Sequence, residues 1–118
     1  MIRATLRMRV RAGRGPEFER AWLAVAAVAS RAPGNLRQTL LRGEPGEYVI
    51  TSDWETRAAF TAFERSEEQD AVTAPLRALR ESARMDIADV LVHLDAGTPG
   101  WAAAPATGPG DSSGGRTT

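Results

Sequence analysis

Apolar and polar side chains alternate strictly over residues 3–10, with Ala4, Leu6, Met8 and Val10 on one face and Arg3, Thr5, Arg7 and Arg9 on the other. A period of two predicts a strand with two unlike faces. The period then lengthens. Pro16 stands where a first helical residue belongs, Glu17 places a negative charge near the helix N-terminus, and Phe18, Trp22, Val25 and Ala29 recur on one stripe. These features predict an amphipathic helix over 16–30, ended by Ala32-Pro33-Gly34.

Leu36 to Arg42 reads as a second strand, Gly43-Glu-Pro-Gly46 as a hairpin turn, and Tyr48 to Trp54 as its antiparallel partner. Thr56 is the expected N-cap of a second helix to about residue 65, with Ala59, Phe60 and Phe63 inward. Ser66 and Gln69 have capping-box spacing and predict a restart. Pro75, lacking an amide hydrogen, is expected to break or re-initiate that segment, after which Leu76 and Leu79 carry an apolar stripe to about Arg84. The run Asp86 to Leu94, with Val90, Leu91 and Val92 at its centre, is the expected fourth strand. The order β-α-β-β-α-β, with the second helix in pieces, is that of an α+β ferredoxin-like domain. It predicts a four-stranded antiparallel sheet with helices on one face. The other face, which would carry Val49 and Leu41 among Arg and Thr, is expected to be covered by a second copy in a homodimer.

Composition changes this picture at the C-terminal end. Residues 96–118 hold six of the eleven Gly and three of the seven Pro. Such a stretch buries too little apolar area to offset its ordering entropy, so the domain is expected over 1–95 and a disordered tail, with Trp101 its one large aromatic, over 96–118. The chain has no Cys and a single histidine, His93, which argues against a disulfide framework, a thiolate metal site or a multi-histidine metal site. Basic and acidic residues balance at 15 each, so nucleic acid and anionic membrane are not expected partners. No apolar run approaches the roughly 18 residues that span a bilayer. The start MIRATLRMRV has no hydrophobic signal core, and a cytoplasmic location is the expectation.

From Tyr48 to Phe63 the chain reads Tyr48-Val-Ile-Thr-Ser-Asp-Trp54-Glu-Thr-Arg-Ala-Ala-Phe60-Thr-Ala-Phe63. A strand ending in Trp-Glu, a capping Thr, Ala-Phe on a short helix and a Ser-started restart resemble the antibiotic biosynthesis monooxygenase family. The resemblance extends in order and length to about residue 95. It implies a dimeric α+β barrel. Asn-Leu-Arg-Gln on the second strand and Ser-Asp-Trp-Glu on the third look most like small quinone-forming monooxygenases of bacterial aromatic polyketide pathways. Heme-degrading relatives carry Asn, Trp and His where this chain has Leu6, Phe63 and Thr73, so heme is not expected. Anthrone-oxidising relatives share Trp54 but place Asn four residues before it and Tyr six after it, where this chain has Ile50 and Phe60.

What the resemblance implies is chemistry that the substrate itself can carry. A deprotonated phenol gives an electron-rich carbanion that reduces dioxygen, with no metal and no bound cofactor; reduced flavin borrowed from elsewhere is the alternative. The protein then needs an apolar slot for flat rings, a proton acceptor, and a polar group near the peroxide. Trp22, Trp54, Phe60 and Phe63 are candidates for the slot, with Ile50 beside them. Each is equally an ordinary core residue, although a buried Trp54 indole requires a hydrogen-bond partner. His93 is the candidate base because only its side chain titrates near neutral pH when unperturbed. Asp53 and Asp86 are alternatives, weakened as bases by neighbouring Arg. Arg37, with Arg7 and Arg9, could steady a phenolate or pair with acids across a dimer. Gln38 and Ser52 are candidate hydrogen-bonding groups for the substrate. Trp54 and His93 thus form the expected catalytic pair, with an aromatic polyketide as ligand and other enzymes of its pathway as further partners. The rival expectation is a polyketide cyclase or a non-catalytic accessory subunit.

Overall fold

The computed structural model describes residues 1–96; Trp101 and all but the first residue of the expected tail lie outside the described residues. The elements are β1 (Ile2–Val10), α1 (Gly15–Ala29), β2 (Asn35–Arg42), β3 (Glu47–Trp54), α2 (Arg57–Glu64), α3 (Glu67–Leu79) and β4 (Arg80–Asp89). The strands form one four-stranded antiparallel sheet in the order β2-β3-β1-β4. This is the ferredoxin-like α+β arrangement, with the second helix divided into α2 and α3.

The alternation in β1 does what its two faces require. Ile2, Ala4, Met8 and Val10 are buried beneath the helices, while Arg7 and Arg9 are exposed on the opposite face. Phe18 and Val25 of α1 are buried in one cluster with Met8, Val10 and Tyr48, and Ala29 is buried at the end of the helix. Each large side chain so removed from water stabilises the fold by about 1.5–3 kcal/mol. Tyr48, buried beside Phe18, keeps its hydroxyl satisfied by donating to Glu19 Oε2 at 2.6 Å. The loop after α1 turns at Gly34, whose φ of +87° favours glycine and where a Cβ would lie 2.6 Å from Ala59 Cβ.

Both expected caps are present. Thr56 Oγ1 accepts from the Ala59 amide at 3.0 Å, and Ser66 Oγ accepts from the Gln69 amide at 3.1 Å. The Ser66 amide itself donates to the Phe63 carbonyl at 3.0 Å, so it is held by the end of α2.

Two expectations are corrected. Pro75 lies inside α3 without breaking it. Pro75 removes the bond its amide would have made to the carbonyl of Ala71, an exposed residue, while buried Thr73, Leu76 and Leu79 hold the helix on the core. The fourth strand runs over Arg80–Asp89, about six residues earlier than the apolar run indicated, and α3 ends at Leu79. Ala83, Met85 and Ile87 pair beside Met8, Leu6 and Ala4 on the helix-covered face, alternating with Ser82, Arg84 and Asp86. Leu91 and Val92, expected inside the strand, are 89% and 76% exposed. Register with β1 decided the strand, because β4 is an edge strand with little burial to mark it.

Candidate functional site

The sheet and helices border a cavity of about 580 Å³ that opens to solvent. Its floor is the helix-facing side of the sheet, including Ala4, Leu6, Gln38, Ile50, Ser52 and Met85. Trp22 and Val25 of α1 form one wall; Phe60 and Phe63 of α2, then Thr73, Leu76 and Arg77 of α3, form the rest. Strand register orders the cavity lengthwise. Trp54 is paired with Ile2 at one end of β1, and Arg80 with Val10 at the other.

The Trp54 end is aromatic. Its ring meets Phe60 edge-on at 5.7 Å between centroids and Phe63 in a tilted contact at 5.2 Å. Trp54 is 1% exposed, and its Nε1 donates to Ser52 Oγ at 2.9 Å, which is the partner a buried indole requires. This bond exists because Ser52 and Trp54 are two residues apart on one strand and therefore share a face. Trp22 differs: its Nε1 is buried with no hydrogen-bond partner. Gln38 spends its side-chain amide on the Ala26 carbonyl at 3.0 Å, tying β2 to α1.

The opposite end is charged. Arg77 donates to Thr73 Oγ1 at 2.7 Å, and to the carbonyl and Oδ1 of Asp70 at 3.2 and 3.1 Å. Arg80 has no acidic partner among the described residues; its side-chain contact is Nη1 to Met8 Sδ at 3.9 Å. Burial, and after it the positive charge of Arg77, push the Arg80 guanidinium below its ordinary pKa. Glu64 stands at the cavity edge, exposed and without an ion pair among the described residues.

Seven of the expected site residues therefore meet around one cavity: Trp22, Gln38, Ile50, Ser52, Trp54, Phe60 and Phe63. Arg37 and His93 are not among its lining. Arg37 projects on the other face of the sheet and pairs with Asp53, which is 1% exposed and also takes a bidentate pair of hydrogen bonds from Arg3 at 2.7 and 2.9 Å. The Arg3 hydrogen bonds hold the Asp53 carboxyl below the usual carboxylate range, against burial, which acts in the opposite direction, and with help from Arg37. Arg9 pairs with Glu47 at 3.0 Å on that same face. His93 lies past the end of β4, its Nε2 2.8 Å from Asp95 Oδ1. Asp86 is exposed beside Arg84.

Sequence reasoning passed over Thr73, Arg77 and Arg80. A signal was present for two of them, because Thr73 and Arg77 are one helical turn apart, on the same side as Leu76; Arg80 faces the cavity only through the register shift between Arg9 and Val10 in the β1–β4 pairing, which no local pattern marks.

A split β-α-β sheet with an aromatic-walled cavity beneath its helices defines the class, an α+β domain of ferredoxin-like fold. The model of the antibiotic biosynthesis monooxygenase family matches residues 1–74, and the chain belongs to that family. Among solved structures it is similar to SnoaB, a cofactor-independent oxygenase from Streptomyces nogalater, with 27% identity and a TM-score of 0.72 over 79% of this chain and 95% of that one. A protein of Nitrosomonas europaea shares the fold at 19% identity and a TM-score of 0.71, over 78% of this chain and 100% of its own. A conserved protein from Methanosarcina mazei does so at 13% and 0.68, over 73% and 88%. No curated protein matches the chain. No helix among the described residues is long and apolar enough to cross a membrane.

Proposed function

We propose that this protein is a monooxygenase that converts a phenolic or anthrone-type aromatic polyketide intermediate to a quinone, using dioxygen and no metal or bound cofactor. The observation that carries the reading is the cavity. Its volume of about 580 Å³ lies in the range of small-molecule sites, and its Trp54–Phe60–Phe63 end offers flat apolar surfaces to a ring system. Family membership and the likeness to a cofactor-independent oxygenase support it further. In this reading the working domain is residues 1–95, acting as a homodimer in the cytoplasm beside other enzymes of a polyketide pathway.

The chemistry follows from the substrate. Loss of a proton from the phenol–methylene system leaves a carbanion, which passes one electron to dioxygen. Recombination forms a carbon–oxygen bond, and departure of water from the resulting hydroperoxide leaves a carbonyl. One oxygen atom enters the product and the other leaves as water. The chain's part is to hold the rings against Trp54, Phe60 and Phe63 and to keep bulk water from the reacting carbon. In this reading the proton goes to Glu64, an exposed cavity-lining carboxylate that no arginine among the described residues holds. For His93 to act as the base, the segment beyond β4 would have to approach a cavity from another position, such as that of a second subunit.

A second reading has its own observation. Ile50 and Phe60 present no polar atom to the ring end of the cavity, which suits a cyclase or an accessory subunit that shapes a reactive chain without oxidising it. Oxygen uptake with an anthrone, without added cofactor, separates the two. The oxygenase reading expects uptake with quinone formation, a loss of roughly tenfold or more in Trp54→Phe, and a comparable loss in Glu64→Gln. No uptake, with or without reduced flavin, from protein that nevertheless binds the anthrone selects the second reading.

A further inference from the structure

We propose that Gln38 and Ser52 form a hydroxyl-binding subsite on the floor of the cavity, so that the ring system it takes carries a free phenolic hydroxyl above that pair. The inference rests on the aromatic-site reading above and adds to it which substituent is recognised and by which two residues.

Strand register brings the two together. Gln38 of β2 is paired with Ser52 of β3, and residues paired across strands share a face. That face is the helix side. Gln38 Nε2 donates to the Ala26 carbonyl of α1 at 3.0 Å, and both residues are half-buried and line the cavity. The bond to Ala26 fixes the orientation of the amide, because only its nitrogen can donate to a carbonyl. Gln38 Oε1 is thereby left as an acceptor with no donor among the described residues, and unlike Trp22 Nε1 it is not sealed from solvent. Ser52 is the complement. Its Oγ accepts from Trp54 Nε1 at 2.9 Å, and its own hydrogen has no acceptor among the described residues. The indole bond polarises that hydroxyl and strengthens it as a donor. It also means that Trp54 offers a ligand its ring and not its N–H.

The rest of the floor, Ala4, Leu6, Ile50, Ala83 and Met85, is apolar. Thr73 Oγ1, on the α3 wall, is spent on the Gln69 carbonyl and on Arg77. A plain ring laid over this floor takes water from Gln38 Oε1 and Ser52 Oγ and returns nothing, which weakens binding. One ring hydroxyl restores both bonds, donating to Gln38 Oε1 and accepting from the Ser52 hydroxyl. A methyl ether or a carbonyl in its place restores only the second, and a ring hydrogen neither.

The test is calorimetric titration of the full chain, in buffer below the phenol's pKa, with anthraquinone, 2-hydroxyanthraquinone and 2-methoxyanthraquinone. The hydroxyl compound is expected to bind roughly tenfold or more tightly than either of the others. Ser52→Ala and Gln38→Met are each expected to bring that ratio below about threefold, and Ser52→Thr, which keeps a hydroxyl, to preserve it. The ratio is the readout, because a variant that only loosens the cavity weakens all three probes together and leaves it unmoved. An unmoved ratio in either folded variant overturns the inference. Equal binding of the hydroxyl compound and anthraquinone by the wild-type protein also overturns it and leaves the aromatic site standing; this arm needs no variant to fold. Failure of all three probes to bind overturns the aromatic-site reading, and the inference with it.

Discussion

Replacing Asp53 by asparagine removes one negative charge from between two arginines while changing almost nothing in shape. Asp53 is 1% exposed, and its carboxylate accepts from Arg3 Nε and Nη2 at 2.7 and 2.9 Å and from Arg37 Nη1 at 2.5 Å. Hydrogen bonds to charged groups contribute about 1.5–3 kcal/mol each in favourable settings. The arginine side chains are 41% and 39% exposed, so water screens them and replaces part of each interaction when the charge is lost. An asparagine also turns an NH₂ group toward a guanidinium. The expected net loss is about 2–3 kcal/mol, which for a domain of this size lowers Tm by roughly 10–20 °C. The pH dependence has a definite sign. The folded pKa of Asp53 is depressed relative to the unfolded value of about 3.9, so its contribution is complete above that value and is lost as pH falls through the folded pKa. Urea denaturation of both proteins from about pH 7 to about pH 2 reads the gap directly. A difference below about 0.5 kcal/mol at neutral pH would refute the reasoning, as would a gap that fails to narrow in acid.

Three further outcomes follow from particular contacts. Gly34→Ala sets a Cβ 2.6 Å from Ala59 Cβ at a φ of +87°, whereas Gly13→Ala, at +80°, meets nothing within 4 Å. Thermal melts should therefore show Gly13→Ala losing about 1 kcal/mol from backbone strain alone and Gly34→Ala distinctly more; equal losses would mean the α1–β2 loop yields freely. Pro75→Ala restores the amide that can bond the Ala71 carbonyl in the middle of α3, and should raise stability by about 1–3 kcal/mol, measured in the same urea assay. Trp54→Phe keeps an aromatic ring against Phe60 and Phe63 but strands Ser52 Oγ and leaves a void, so it should lose about 1–3 kcal/mol while staying folded, as circular dichroism would report.

The elements of this protein that bury one face and expose the other were legible in the chain itself. Period two in 3–10, the Phe18–Trp22–Val25–Ala29 stripe, the Gly-Glu-Pro-Gly turn and the Thr56 and Ser66 caps are local signals, and local physics decides them. The aromatic side of the cavity was legible for the same reason: Ser52 and Trp54 share a strand face, and Phe60 and Phe63 share a helix face, before any tertiary contact forms. Tertiary structure decided the rest. Pro75 remains helical because long-range burial of Leu76 and Leu79 outweighs one missing hydrogen bond at an exposed position of the helix. The last strand begins at Arg80, ahead of the Val90–Leu91–Val92 run, because pairing with β1 sets an edge strand's register and hydrophobicity does not. Which guanidinium turns to an acid and which to a cavity was invisible in a chain whose basic residues are all arginine. Arg37 and Arg80 are alike as letters; Asp53, sixteen residues from one and on the opposite sheet face from the other, is what separates them.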